Sequence, residues 1–492
     1  MFKNAQLESV KAWLNDPANG ALPLHVRIQR GIRQLILDGA LGVNKPLPAT
    51  RPLALSLGVS RDTVESAYSQ LHAEGFIERR VGSGSFVSER TRQLPPRKRQ
   101  RSGASVAQAE LSQRGAAIFR EGGVQNFQYP HPFAPGLAET RNFPLPIWDR
   151  LERQVIKEHG TRALLHSAPQ GMEVLRSSIA DYLNLERGAR ASTDRVLILT
   201  SSQQALSLCS TVLMDSGERV LVEDPMYHGA KKAIGAAGLE CIPVPVDGDG
   251  MQVPAMAALA GDARALFLTP SHQFPTGTTL SLDRRLAAIE WARQQRAWII
   301  EDDYDSEFHY EGRPTTCVQG LDAHDRTLYI GTFTKSMFPG LRIGYMVLPP
   351  QLVGPMTAAR TLQDGHNPSI SQLTLARFIE GGHLGAHVRT MRALYKARRD
   401  ILAELVERHL ADFLAPRVPD GGMQMPCLFT RPMDERAVVA AARTVDVDLL
   451  GMGSLYARPR NDTGFLMGFA AHTPAELTAA VGRLKKVLEK MV

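Results

Sequence analysis

Residues 327–345, TLYIGTFTKSMFPGLRIGY, begin as an apolar, strand-like run and end in a glycine-punctuated polar segment. Lys335 stands just past the apolar run, with Arg342 seven residues further on. Four more short apolar runs lie upstream: VLILT (196–200), RVLVED (219–224), ARALFLT (263–269) and AWIIED (297–302). The segments between them are long enough for helices. Short strands alternating with helices predict an α/β domain with a mostly parallel sheet. Three of these runs lead into polar motifs: TSSQQAL (200–206), TPSHQFPTG (269–277) and IIEDDYDSEF (299–308).

At 492 residues the chain is long enough for two or three domains, and its 43% hydrophobic content excludes a mainly disordered or fibrous protein. No apolar run approaches the roughly 18 residues of a membrane span. The start, MFKNAQLESVKAW, has no apolar signal-peptide core. Cys209, Cys241, Cys317 and Cys427 are far apart and form no CxxC pair, so neither a disulfide framework nor a metal site is expected. A reducing cytoplasm is the expected location. The net charge of +7 is unevenly placed: residues 1–110 hold 16 Lys+Arg against 9 Asp+Glu, and the rest of the chain balances. A small basic unit joined to a large neutral one predicts a polyanion binder attached to something else.

That basic unit has its own pattern. Ile28, Ile32, Leu35 and Ile36 recur at helical spacing before Gly39, and Pro52–Leu57 fits a second, short helix. Ser60 can cap a third helix carrying Val64, Ala67, Tyr68 and Leu71 on one face. Residues 76–80 and 85–87 read as two strands around Gly82-Ser83-Gly84. Helices followed by such a hairpin make a winged helix-turn-helix. Residues 89–115 are polar, basic and without apolar periodicity, and read as a flexible linker. Its run Arg97-Lys98-Arg99-Gln100-Arg101 is a solvated spacer or a contact to DNA phosphates.

The stretch LPATRPLALSLGVSRDTVESAYSQLHAEGFIERRVGSGSFV resembles the GntR-type winged helix. The resemblance implies DNA contacts from Arg51, from Ser60, Arg61 and Thr63 at the start of the recognition helix, and from Arg80 and Gly82 in the wing. Physical chemistry agrees: a helix entering the major groove presents its first residues to base edges, and an arginine there can bond guanine O6 and N7. Asp62 and Glu65 temper the positive charge of that face.

The strand-end motifs resemble fold-type I pyridoxal 5'-phosphate enzymes, the class I aminotransferases. The resemblance implies a mostly parallel sheet and a smaller C-terminal α+β subdomain. It also makes Lys335 the catalytic lysine, whose amine forms a Schiff base with the cofactor aldehyde. Asp302, 33 residues earlier, would face the pyridine nitrogen and Tyr304 the phenolate oxygen. Ser202, Gln203, Thr332 and Arg342 would hold the phosphate, by N–H groups at a helix start and by a cation. Tyr227, in EDPMYHG, would lie near the ring.

A GntR-type head (1–88), a linker (89–115) and an aminotransferase-like domain (116–492) form the layout of the MocR/GabR family of bacterial transcription regulators. Membership implies a pyridoxal phosphate-dependent regulator of promoter DNA that senses a small amine, an amino acid derivative or the cofactor itself. It also implies a head-to-tail, domain-swapped homodimer. Three positions depart from a working aminotransferase. Phe274 stands where the enzymes have the asparagine of NPTG, His166 where a tyrosine reaches the partner's phosphate, and Leu466 where an arginine clamps the substrate carboxylate. Losing that clamp removes a bidentate charged contact and argues against full turnover. Arg458 and Arg460, in SLYARPRND, are the compensating cations or solvated loop residues. An aminotransferase with an autoregulatory DNA head, and a DNA-binding protein with a purely structural large domain, are the alternatives.

Overall fold

The computed structural model describes residues 4–15, 20–93, 110–123, 130–259, 261–311, 315–460 and 463–491. The chain divides into two compact units, Met1–Glu110 and Leu111–Val492. The basic run at 97–101 lies outside the described residues.

The first unit contains helices α1 (Asn4–Asn15), α2 (Leu24–Leu37), α3 (Thr50–Leu57) and α4 (Arg61–Ala73), then strands β1 (Ile77–Arg80) and β2 (Gly84–Val87). Ile28, Ile32, Val64, Tyr68 and Leu71 form the core, joined by Val10 and Leu14 of α1, a helix not expected from the sequence. It lies so near α2 that a Cβ on Gly31 would sit 3.3 Å from the Trp13 Cβ. Gly58 ends α3 at φ +67°, and Ser60 caps α4 by accepting from the Thr63 N–H at 3.1 Å. The two strands pair antiparallel from Ile77–Val87 to Arg80–Gly84, and Gly82 turns the wing at φ +74°. The expected winged helix is present.

The second unit is built on an eight-stranded sheet: β3 (Val196–Leu199), β4 (Arg219–Asp224), β5 (Glu240–Asp247), β6 (Gly250–Met251), β7 (Ala265–Leu268), β8 (Trp298–Asp303), β9 (Thr327–Thr332) and β10 (Gly344–Val347). Their order is β3-β10-β9-β8-β7-β4-β5-β6. β9, β8, β7, β4 and β5 pair parallel, while β10 runs antiparallel between β3 and β9. The five expected strands are all present. Their side chains pack into helix-covered clusters on the sheet, so both faces are buried, as parallel sheets require. The helix Gln113–Glu121 begins inside the stretch read as linker, capped by the Ser112 hydroxyl.

A smaller antiparallel sheet follows, of β11 (Leu414–Pro416), β12 (Gln424–Phe429), β13 (Leu450–Gly451) and β14 (Gly464–Gly468), in the order β11-β12-β14-β13. The helices His383–His409 and Pro474–Glu489 share one apolar core with it. This is the α+β subdomain. Among the described residues no helix is long and apolar enough to cross a membrane, and no group of three His, Cys, Asp or Glu side chains could hold a metal.

Candidate functional sites

The strand ends converge as an open α/β sheet dictates. β8 delivers Asp302, whose carboxyl is buried and whose Oδ1 has no hydrogen-bond partner among the described residues. Burial, then the charges of Asp303 and Asp305, push Asp302 up to about 7, while Lys335 pulls it down. β9 ends at Thr332, whose hydroxyl accepts from the Thr334 N–H at 3.2 Å and caps the helical turn Phe333–Ser336. This turn carries Lys335. Its Nζ donates to the Gly136 carbonyl at 2.6 Å, and burial lowers its pKa against the pull of Asp305 and Asp302. A Cβ on Gly136, whose φ is +69°, would sit 3.0 Å from that nitrogen, and the lysine tip would have to give way by a few tenths of an ångström.

Ser201 caps the helix Ser202–Val212, so Ser202 and Gln203 occupy its first turn, where backbone N–H groups lack intrahelical partners. The Gln203 amide donates to the Gly229 carbonyl at 3.0 Å, and its Oε1 has no partner among the described residues. Tyr227 packs beside it, close enough that a Cβ on Gly229 would meet both side chains. Burial and then Asp302 push the Tyr227 phenol up to about 12. Arg342 adopts a left-handed backbone at φ +53°. Its carbonyl and that of Leu199 both accept from the Asn367 side chain, at 3.2 and 3.0 Å. The Arg360 guanidinium in turn donates to Asn367 Oδ1 at 2.6 Å.

Tyr304 stands between two environments. Its hydroxyl lies 3.2 Å from His272 Nδ1, and it also takes a hydrogen bond from Gln424 of β12. Its ring lies edge-on to Phe274, with centroids 6.2 Å apart. Phe274 and Leu466, two of the three departures noted in the sequence, belong to one apolar cluster with Met452 and Leu455, packed by Tyr227 and Tyr304. His166 faces His366 at 3.1 Å on the exposed side, next to Asn367. Arg458 is exposed, and Arg460 lies over the Tyr456 ring at 5.4 Å.

Sequence reasoning missed Gly136, Asn367 and Gln424, which come from segments distant in the chain and carry no motif. His272 lies within TPSHQFPTG, where no role follows from the sequence. Its ring fits between Gly277 and Gly422, where a Cβ would approach it to 3.1 and 2.2 Å, and its Nδ1 lies 3.3 Å from Asp305.

In the first unit Arg51, Arg61 and Arg80 are exposed. Arg61 opens α4, and Ser60 and Thr63 join hydroxyls at 2.7 Å. The Arg80 guanidinium donates to Asn44 Oδ1 at 3.0 Å and lies 4.5 Å over the Phe86 ring. Arg79 pairs with Glu65 at 2.8 Å and tethers the wing to α4.

Residues 24–87 match the gntR family of bacterial regulatory proteins, and residues 137–484 match aminotransferase class I and II. The probable rhizopine catabolism regulatory protein MocR of Rhizobium meliloti is 34% identical, over 94% of this chain and 93% of that protein. The pyridoxine biosynthesis regulator PdxR of Corynebacterium glutamicum is 31% identical over 90% of each chain. Among solved structures, a Pyrococcus horikoshii kynurenine aminotransferase in complex with PMP superposes with a TM-score of 0.69 at 27% identity, covering 74% of this chain and 92% of that one. The chain therefore belongs to the MocR family of HTH-type transcriptional regulators, in which a gntR-type DNA-binding domain precedes an aminotransferase class I and II domain.

Proposed function

We propose that the large unit binds pyridoxal 5'-phosphate through Lys335 and senses a small amine-bearing effector, whose binding alters how the winged-helix unit holds promoter DNA. The residues fit that cofactor. A buried carboxyl with an unpartnered oxygen suits a protonated pyridine nitrogen, and a lysine held beside a glycine leaves space at its amine. The cofactor, when bound, supplies an aldehyde that captures amines and a ring that withdraws electrons from the bond formed. Lys335 provides the capturing amine, whose charged form burial disfavours. Asp302 holds the ring proton, and Tyr304 directs its hydroxyl to the phenolate oxygen. Ser202, Gln203, Thr332 and Arg342 bind the phosphate, and Tyr227 flanks the ring. On the head, Arg51, Ser60, Arg61, Thr63, Arg80 and Gly82 form the DNA-facing surface. The working unit is a cytoplasmic head-to-tail homodimer.

The observation that carries a sensor over a catalyst is the pairing of Phe274 with Leu466 in one apolar cluster, which removes a donor and a cation from the substrate side. The intact Asp302–Lys335 pair favours the second reading, an aminotransferase with a DNA-binding head. Incubation with amino donors and a keto acid separates the two. Spectral change ending at one equivalent supports the sensor, and sustained turnover refutes it.

A further inference from the structure

Tyr304 is the residue proposed to meet the cofactor's phenolate oxygen, and Phe274, edge-on to its ring, offers no donor to share that task. A hydroxyl donates one hydrogen and accepts two. Where its hydrogen points therefore depends on what already occupies the oxygen. The Gln424 side chain donates to Tyr304 from β12. His272 Nδ1 lies 3.2 Å from the same oxygen, and the His272 tautomer decides whether it gives or takes a hydrogen.

Asp305 settles the tautomer. Its Oδ2 stands 3.3 Å from His272 Nδ1, an ion-pair distance, and neither carboxyl oxygen takes an aligned hydrogen bond among the described residues. A bare nitrogen lone pair facing a buried carboxylate would repel it, so Nδ1 carries a proton. Burial disfavours charge on His272, but Asp305, Asp420 and Asp303 outweigh it and raise the His272 pKa. The ring is packed against Gly277 and Gly422, and turned over it would set carbon against both oxygens. His272 and Asp305 border a polar cavity of about 150 Å³, whose other charged or titratable groups are Arg187, His309, Glu311 and Asp420. Arg187 donates to Asp303 at 2.9 Å and to Ser271 at 2.6 Å, so its fork is taken up elsewhere and Asp305 is left to His272.

Tyr304 thus accepts from two donors. Burial, then the charges of Asp305, Asp302 and Glu223, push its phenol well above the ordinary value, so the oxygen keeps its own hydrogen. That hydrogen has one direction left.

We infer, on the reading of Lys335 as the cofactor lysine, that His272 is a positioning residue: held by Asp305 with a proton on Nδ1, it makes the Tyr304 hydroxyl a donor to the phenolate oxygen. The arrangement supplies the donor that Phe274 lacks. A hydrogen bond given to that oxygen stabilises its negative charge, most of all once the adjoining lysine–cofactor nitrogen has lost its proton. The contact therefore lowers the pH at which that proton leaves.

The full-length protein is loaded with pyridoxal 5'-phosphate, and its visible band is followed across pH. A wild-type protein without a band would refute the cofactor reading, and the inference with it. With the band present, His272→Phe keeps a flat ring but no donor. It is expected to raise the midpoint of the band's pH change by about one unit, a tenfold change in proton affinity. His272→Asn keeps an N–H near the Nδ1 position and should restore most of the wild-type midpoint. In a Tyr304→Phe background His272→Phe should add nothing, because its effect passes through the hydroxyl. If circular dichroism shows that His272→Phe does not fold, His272→Gln, whose nitrogen reaches only the Nε2 position, replaces it with the same expectation. An unchanged midpoint, or the same shift with and without the Tyr304 hydroxyl, would overturn the inference.

Discussion

Asn367 holds the backbone of Arg342 in place: its side-chain amide donates to the Arg342 carbonyl at 3.2 Å, where the main chain takes a left-handed turn. The same amide group donates to Leu199 at the end of β3, directly before the turn carrying Ser202 and Gln203. One buried side chain thus ties together the two segments proposed to hold the phosphate. Arg360, itself fully buried, fixes the amide's orientation.

Asn367→Ala is therefore expected to weaken cofactor binding without removing Lys335 chemistry. Two hydrogen bonds of about 1 kcal/mol each give a loss of about tenfold or more in affinity. Titration of the cofactor-free protein, followed by absorbance, measures it. Unchanged affinity would mean that the bridge does not govern the cradle.

Lys335→Ala should leave the fold intact, since among the described residues its side chain hydrogen-bonds to the Gly136 carbonyl. The variant is expected to lose the visible band and resist labelling by borohydride, with an unchanged circular dichroism spectrum. Persistence of the band would assign the cofactor to a different amine.

Strands β3, β4, β7, β8 and β9 were legible because each is a short, almost wholly buried apolar run. β5, ECIPVPVD, was not, because Pro243 and Pro245 interrupt the run with residues that normally argue against a strand. β10 is only four residues and overlaps the end of the lysine motif, so it carries no separate strand signal. α1 escaped notice because its few apolar residues, Leu7, Val10 and Leu14, gain meaning only against α2. Within the candidate site, Lys335, Asp302 and Tyr304 were named through the resemblance carried by the motifs that hold them, which lie at adjacent strand ends. Gln424 and Asn367 were not, since long-range packing brings them there. Gly136 meets Lys335 across 199 residues, which no local pattern encodes.

Asp302 gives a pH-dependent prediction. Its folded pKa of about 7 stands above the ordinary 3.8, so between those values the folded state keeps a proton that the unfolded chain releases. Stability from this group is therefore present at low pH and lost as pH rises towards about 7. Asp302→Asn mimics the protonated carboxyl. In cofactor-free protein the variant should match the wild type below about pH 4 and exceed it at about pH 8, by on the order of a few kcal/mol. Histidines and carboxylates remote from Asp302 titrate in both proteins and cancel in the difference. The same substitution should weaken the loaded state, because asparagine cannot hold the ring proton. Thermal melts at the two pH values, with and without cofactor, test both signs, and a pH-independent difference would contradict the assignment.

The DNA-binding unit separates two kinds of arginine. Arg61 is exposed at the first position of α4, where a recognition helix meets base edges. Arg80 is positioned by Asn44 and Phe86 in the wing, a geometry suited to a phosphate. Arg61→Ala is accordingly expected to reduce discrimination between the operator and a scrambled duplex by about 1–3 kcal/mol. Arg80→Ala should weaken both duplexes equally and reduce the slope of log affinity against log salt by about one. Fluorescence anisotropy over a salt series, using an operator selected from genomic fragments, reads both effects. If Arg61→Ala instead weakened the two duplexes alike, α4 would be contacting backbone rather than bases, and sequence reading would have to lie elsewhere in the head.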